Sequence, residues 1–208
     1  MPVYQRYFRV TSGPLMDRAR DIEQASREAR KAVIAFCKEI GAENAFFGGE
    51  GSICGFKFAS TPDQAVWKQP NDFGTYMPRK NTIGGKAMIE KIKELPPIHR
   101  LNNALKAVGL YPGFPVLIDG RSGHCAQLTG SVELGVLFIG VPWRDVPEEE
   151  MQRYKVKHEA GSWTSAEMEH LQWQPTADMV EIKRWEVEKE CEELNARLNA
   201  MQSERGTS

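Results

Sequence analysis

The stretch Val3–Gly41, VYQRYFRVTSGPLMDRARDIEQASREARKAVIAFCKEIG, decides the fold class. Val3–Val10 is rich in Tyr, Phe and Val and reads as a strand. Thr11-Ser12-Gly13-Pro14 is a helix-start signal, with Pro14 near the first turn, where its missing N–H costs nothing. Leu15, Ala19, Ile22, Ala29, Val33, Phe36 and Ile40 recur at helical spacing, so one helix is expected to run to about Ile40. Gly41 supplies a C-terminal stop.

Outward from this strand–helix pair, Phe46 to Gly51 is glycine-rich and turn-like, and Ser52–Ala59 reads as a strand. Ser60 to Thr82 carries three prolines and no period, and long loops of this kind are usually functional or mobile. Helices are expected from Gly84 to Glu94 and from Ile98 to Val108, stopped by Pro96-Pro97 and Gly109. Phe114–Asp119 and Leu134–Val141 are strong strand segments, with Gly123–Val132 as a further strand between them. Short helices are expected at Glu148–His158 and Thr164–Leu171, and a C-terminal helix from about Ala177. Early and late strands without βαβ alternation imply an α+β fold. It has a mostly antiparallel sheet, a long N-terminal helix, several middle helices and a long C-terminal helix. Residues 1–175 read as one globular domain, and residues 176–208 as a helix for packing or oligomerisation.

The chain has 208 residues, 41% hydrophobic and 26% charged, which suits a globular protein with its own core. No apolar run is long enough to span a membrane, and MPVYQRYFRV lacks a signal-peptide pattern. A cytosolic location is expected. Cys37, Cys54, Cys125 and Cys191 are scattered without a CxxC pair, which argues for packed thiols rather than zinc ligands or disulfides. Net charge is −1, but residues 67–106 hold eight basic and three acidic residues, net +5. Residues 145–208 hold eight basic and fifteen acidic residues, net −7. Either these are two solvated faces or the basic middle binds anions. The near-zero whole-chain charge argues against a dedicated nonspecific duplex-DNA binder.

The candidate site is WKQPNDFGTYMPRKNTIGGK, Trp67–Lys86. Trp67, Phe73 and Tyr76 offer faces for stacking on a base. Arg79, Lys80 and Lys86 offer cations for phosphates, and Gly84-Gly85 opens a helix N-terminus. It is not a P-loop, because Ala87 follows Lys86 where Ser or Thr would bind magnesium. An exposed basic loop with two turn glycines is the competing reading.

Secondary candidates are Arg121 and His124 in DGRSGHC, and Trp143 and Arg144 in VPWRDV. Adjacent strand residues point to opposite faces, so His124 and Cys125 do not make a base–nucleophile pair on a strand, and a polar hairpin turn is favoured there. Trp143 could stack on a ligand or cover a sheet end. His158 and His170 show no HExxH spacing, and no metal, cofactor or catalytic residue is assigned. In the C-terminal helix Val180, Val187, Cys191, Leu194, Leu198 and Met201 follow a seven-residue rhythm interrupted by Arg184. They form a seam for a second copy or for the protein's own sheet, with Trp185 off the seam as an intramolecular contact.

The segments VYQRYFRVTSGPLMDRARDIE, YMPRKNTIGGK, LPPIHRLNNAL, VPWRDV and EIKRWE together resemble an uncharacterised family of small accessory proteins of tailed phages and prophages of enteric bacteria. The resemblance spans most of the chain and carries no catalytic residues. It implies a phage origin, the host cytoplasm, and a role against host defence or in phage nucleic-acid metabolism. The resulting expectation is a non-enzymatic, homo-oligomeric binder that sequesters a nucleotide-like small molecule. The alternative is an accessory protein that binds single-stranded nucleic acid or a host protein.

Overall fold

The computed structural model describes residues 4–48, 51–110, 116–118, 121–124, 126–143 and 173–206. They form an α+β protein with antiparallel sheets, in two compact units, Met1–Arg20 with Leu101–Ser208, and Asp21–Arg100. Strand β1 (Tyr4–Val10) leads into helix α1 (Gly13–Ile40). The stripe foreseen on α1 is buried at Leu15, Ala19, Ile22, Ala29, Val33 and Phe36. The gap in that stripe is Ser26, also buried, whose hydroxyl donates to the carbonyl of His99 at 3.0 Å. A small polar residue fits an apolar face when its hydrogen bond is made. Gly41, at φ +71°, ends the helix. The Ala42 N–H bonds to the Cys37 carbonyl and the Gly41 N–H to that of Lys38, as in a Schellman cap.

In the first unit the strands are β4 (Val116–Ile118), β5 (Arg121–His124), β6 (Gln127–Ser131), β7 (Val136–Trp143) and β8 (Met179–Ile182). β4 and β5 form a separate hairpin, and the main sheet has the order β6-β7-β1-β8. The single strand expected over 123–132 is therefore two.

Phe8 pairs with Ile139 and Val10 with Leu137, and all four are buried on one face. Trp173 meets Phe8 edge-on at 5.6 Å and donates its indole N–H to the carbonyl of Val108. The other face carries Phe138, Tyr7, Val136 and Ile182. Helix α3 (Arg184–Gly206) lays Val187, Cys191 and Leu194 on it. The middle of the expected seam is thus the protein's own core, whereas Val180, expected to begin it, lies on β8 and is exposed. The C-terminal helix also starts later than expected, because Met179–Ile182 completes the sheet against β1 before Lys183 turns the chain.

Other middle-chain expectations change for local reasons. Leu101–Val108 is a 3-10 helix, entered only after Pro96-Pro97 and ended at Gly109 with φ +74°. The short helices expected at 148–158 and 164–171 lie outside the described residues, as do Cys125 and Arg144.

In the second unit, strand β2 (Asn44–Phe47) pairs with β3 (Ile53–Lys57), so Phe46 and Phe47, expected to be turn-like, are strand. Helix α2 spans Ile83–Lys93. Val33, Phe36, Cys37, Phe56 and Trp67 make the core, with Met88 and Ile92 of α2 against it.

Candidate functional site

The segment 60–82 has no named helix or strand, yet it is built by main-chain hydrogen bonds. The Lys68 N–H donates to the Met77 carbonyl, the Arg79 N–H to that of Val66, and the Asn71 N–H to that of Thr75. Residues 66–79 are therefore an irregular hairpin. Its second arm joins β3, where Phe56 and Tyr76 exchange hydrogen bonds at 3.0 and 2.8 Å. The small sheet thus continues from β2 and β3 into both arms. The Asn71 side chain closes the tip by accepting from the N–H groups of Phe73 and Thr75. Gly74 follows at φ +70°, a conformation that favours glycine.

The predicted aromatics separate on this hairpin. Trp67 is only 4% exposed, with Phe56 at 5.6 Å and Phe58 at 4.9 Å from its ring. The expected stacking face is therefore not open, because the large apolar ring is more stable closing the core. Tyr76 is half-buried and meets Phe58 edge-on at 5.6 Å. Phe73 stands at the tip, 87% exposed. It is the one aromatic of the three with an open face.

The cations lie at the other end. The half-buried Arg79 donates its Nε to the Trp67 carbonyl at 3.0 Å, which uses one of five guanidinium donors. Lys80 and Lys86 are exposed and make no ion pair among the described residues. From Phe73 to Arg79 the extended chain spans roughly 15 Å, at ~3.3 Å per residue less the turn.

Gly84 and Gly85 serve packing rather than an open phosphate cradle. A Cβ at Gly85 would lie 1.9 Å from the Arg79 carbonyl oxygen, and one at Gly84 would lie 2.9 Å from Val66. Thr82 caps α2: its hydroxyl accepts from the Gly85 N–H at 3.1 Å and donates to the Ala65 carbonyl at 2.6 Å. One N–H that a phosphate would use is already satisfied. The glycines hold the cation-bearing end of the hairpin against the helix.

Of the secondary candidates, Arg121 and His124 lie on β5, opposite Ile118 and Val116, and Trp143 ends β7 opposite Tyr4. Arg144 is outside the described residues. Among those residues no group of three His, Cys, Asp or Glu side chains is placed to hold a metal.

Sequence reasoning missed Met77 and Ile83, which are 39% and 91% exposed on the hairpin and at the first turn of α2. Their place in a basic segment without period was the available signal. It also misplaced Trp185, which is 56% exposed instead of packed. Trp185, Lys189, Glu193 and Arg197 line a cavity of about 420 Å³ beside Arg9, whose guanidinium bonds Glu190 at 2.8 Å. The i, i+4 spacing of those helical residues was a visible sign of a shared face.

Comparison with family models, curated proteins and solved structures finds no match to this chain.

Proposed function

We propose that this chain is a phage-encoded, non-enzymatic accessory protein that captures a nucleotide-derived ligand bearing several phosphates, and so counters a host defence. The observation that carries it is one ordered hairpin with an open aromatic, Phe73, at its tip, Arg79 and Lys80 at its base, and Lys86 in the first turns of the adjoining α2. Phe73 stacks on a base while the cations hold phosphates at the far end. The separation of roughly 15 Å, from the rise of extended chain, suits a ligand whose base and phosphates lie well apart. The phage origin and the host cytoplasm rest on the five resembling segments. Among the described residues no helix is long and apolar enough to cross a membrane.

The same ligand chemistry occurs in a free short oligonucleotide and in a single strand of nucleic acid. Anisotropy with a labelled short oligonucleotide and with a longer strand, at rising salt, separates them. We expect the short ligand to bind and the longer strand to gain nothing per site at physiological salt. Arg79→Ala with Lys86→Ala should lower affinity by tens of fold or more, at about 1.5–3 kcal/mol per charged contact. Tighter, steeply salt-dependent binding of the longer strand would instead assign strand binding. Equal binding by the folded double variant would refute the site. Native mass spectrometry of the chain from infected, defence-positive cells identifies the free ligand by its mass.

Homo-oligomerisation rests on the part of the seam beyond the sheet, where Leu198 and Met201 are half-buried on α3. Charged residues at both positions should leave the fold intact and reduce the mass found by light scattering. A monomeric mass for the unaltered chain at tens of micromolar would refute it.

A further inference from the structure

A second surface, in the same unit but sharing no residue with the hairpin, has the features of a peptide site. Strand β2 pairs with β3 on one side only, and among the described residues its other edge has no strand partner. Exposed edges carry unsatisfied main-chain groups, which proteins usually shield with charge, proline or a covering element. β2 reads Asn44-Ala45-Phe46-Phe47, without a charge or a proline. Phe46 is 40% exposed and Phe47 38%. The shielding it does have is an irregular register between Phe46 and Phe47, which limits any added strand to a few residues.

A groove of about 290 Å³ runs between this strand and α1. Val33, Ile34 and Cys37 form its helical wall, and Ala45 and Phe47 line the strand side. Ile34 is 57% exposed there. An apolar trough bounded by a helix and an open strand edge is the arrangement that accepts an extended peptide by strand addition. The edge supplies main-chain hydrogen bonds, and the trough takes alternate side chains.

Charge selects the occupant. Arg30 and Lys38 line the groove from α1, about 12 Å apart at 1.5 Å per residue. Neither makes an ion pair among the described residues. Glu43 is the single acidic residue of the lining. A two-fold pairing of β2 with β2 of a second copy would bring four cations to one interface with two carboxylates, so self-association is disfavoured. An acidic chain is complementary.

We propose that the groove between α1 and the free edge of β2 docks an extended peptide segment of a partner protein as an added strand, whose groove-facing side chains are an apolar one flanked two residues away on each side by acidic ones, about 13 Å apart at ~3.3 Å per residue. The proposal does not depend on the nucleotide-derived ligand, because its residues lie outside 66–86.

The probe is a labelled synthetic peptide Thr-Glu-Thr-Val-Thr-Glu-Thr, whose Glu and Val side chains share one face of a strand, compared by anisotropy with the counterpart carrying Lys for both Glu. The acidic peptide should bind at least about tenfold tighter, since like charge opposes the other. Methylating alternate amides of the acidic peptide should abolish binding, because strand addition needs those donors and apolar contact does not. Ile34→Asp with Phe47→Asp should abolish it too, at unchanged thermal stability. Arg30→Glu with Lys38→Glu should swap the preference to the Lys peptide, a gain that misfolding cannot imitate. Absence of acidic-peptide binding would overturn the proposal, as would equal binding of the methylated peptide. A dimer dispersed by Phe47→Asp would assign the edge to a second copy and overturn it as well.

Discussion

The four-stranded sheet and the small sheet use their aromatic residues in opposite ways. In the first, Phe8 and Phe138 are at most 1% exposed and lie on opposite faces, each covered by another part of the chain. In the second, Phe56 and Trp67 close a core, but Phe46, Phe47 and Phe73 remain between 38% and 87% exposed. Burying a phenyl ring is worth about 1.5–3 kcal/mol, so rings left in water bring no such gain to the fold. A sheet that leaves three of them outside is shaped by something besides stability. The first unit is therefore where substitutions should unfold the protein, and the second is where they should change what it binds.

The largest expected effect tests that division directly. Phe138→Ala removes the ring that Val187 and Leu194 pack on, and should cost about 3–5 kcal/mol. Phe73→Ala should lie within about 0.5 kcal/mol of the parent, yet weaken ligand binding. Urea titrations of the two variants decide it. Equal destabilisation by both would erase the contrast between the units.

Leu194→Ala comes next, at about 2–5 kcal/mol, because Leu194 is core. The seven-residue rhythm alone gave no such ranking between Leu194 and Leu198. If instead Leu194→Ala left unfolding unchanged and lowered the mass in solution, the seam would belong to an interface along its whole length.

Gly85→Ala sharpens the comparison from the second unit. The added methyl meets the backbone of Arg79, which cannot rotate away as a side chain would. Overpacking of this kind should cost about 1–3 kcal/mol. Gly41→Ala has open space and only its φ of +71° against it, so it should cost less. Thermal unfolding ranks the two. The reverse order would mean that α2 does not need its close approach to the hairpin.

These cases show what the sequence made legible. Strand β1, helix α1 and its glycine cap were readable because periodicity, capping and burial agree over a long segment. The hairpin at 66–79 was not, because its strands are held by isolated bridges around two prolines, with no alternation. The segment looked functional because it lacked a period, and of the residues its composition singled out the structure leaves Phe73, Lys80 and Lys86 exposed. Composition could not show that Trp67 belongs to the core, since stacking and core packing ask for the same ring. Nor could it show that Gly84-Gly85 serves contact rather than anion binding, since both uses need a missing Cβ. The edge of β2 was hidden because Phe46 and Phe47 sit beside glycines that dominate the local turn signal.

The smallest expected effect concerns the sheet's own surface. Arg6 on β1 holds Glu181 on β8 with two hydrogen bonds, of 2.7 and 2.5 Å, and lies 5.2 Å over the Phe8 ring. The hydrogen bond from Arg6, opposed by some burial and aided by its charge, lowers the Glu181 carboxyl below its ordinary value of 4.5. A carboxyl with a depressed folded value stabilises the fold when the pH is above its unfolded value. That contribution is lost as the pH falls through the folded value. Both side chains are partly solvent-exposed, so the pair should be worth less than about 1 kcal/mol at neutral pH and less still in high salt. Glu181→Gln should therefore unfold slightly below the parent in neutral, low-salt buffer, and the gap should close in acid as the parent loses its charge. A gap that persists in strong acid would mean that Glu181 acts through packing on β8 rather than through its charge. The sheet edge would then resemble the core around Phe138 more than the open surface of the second unit.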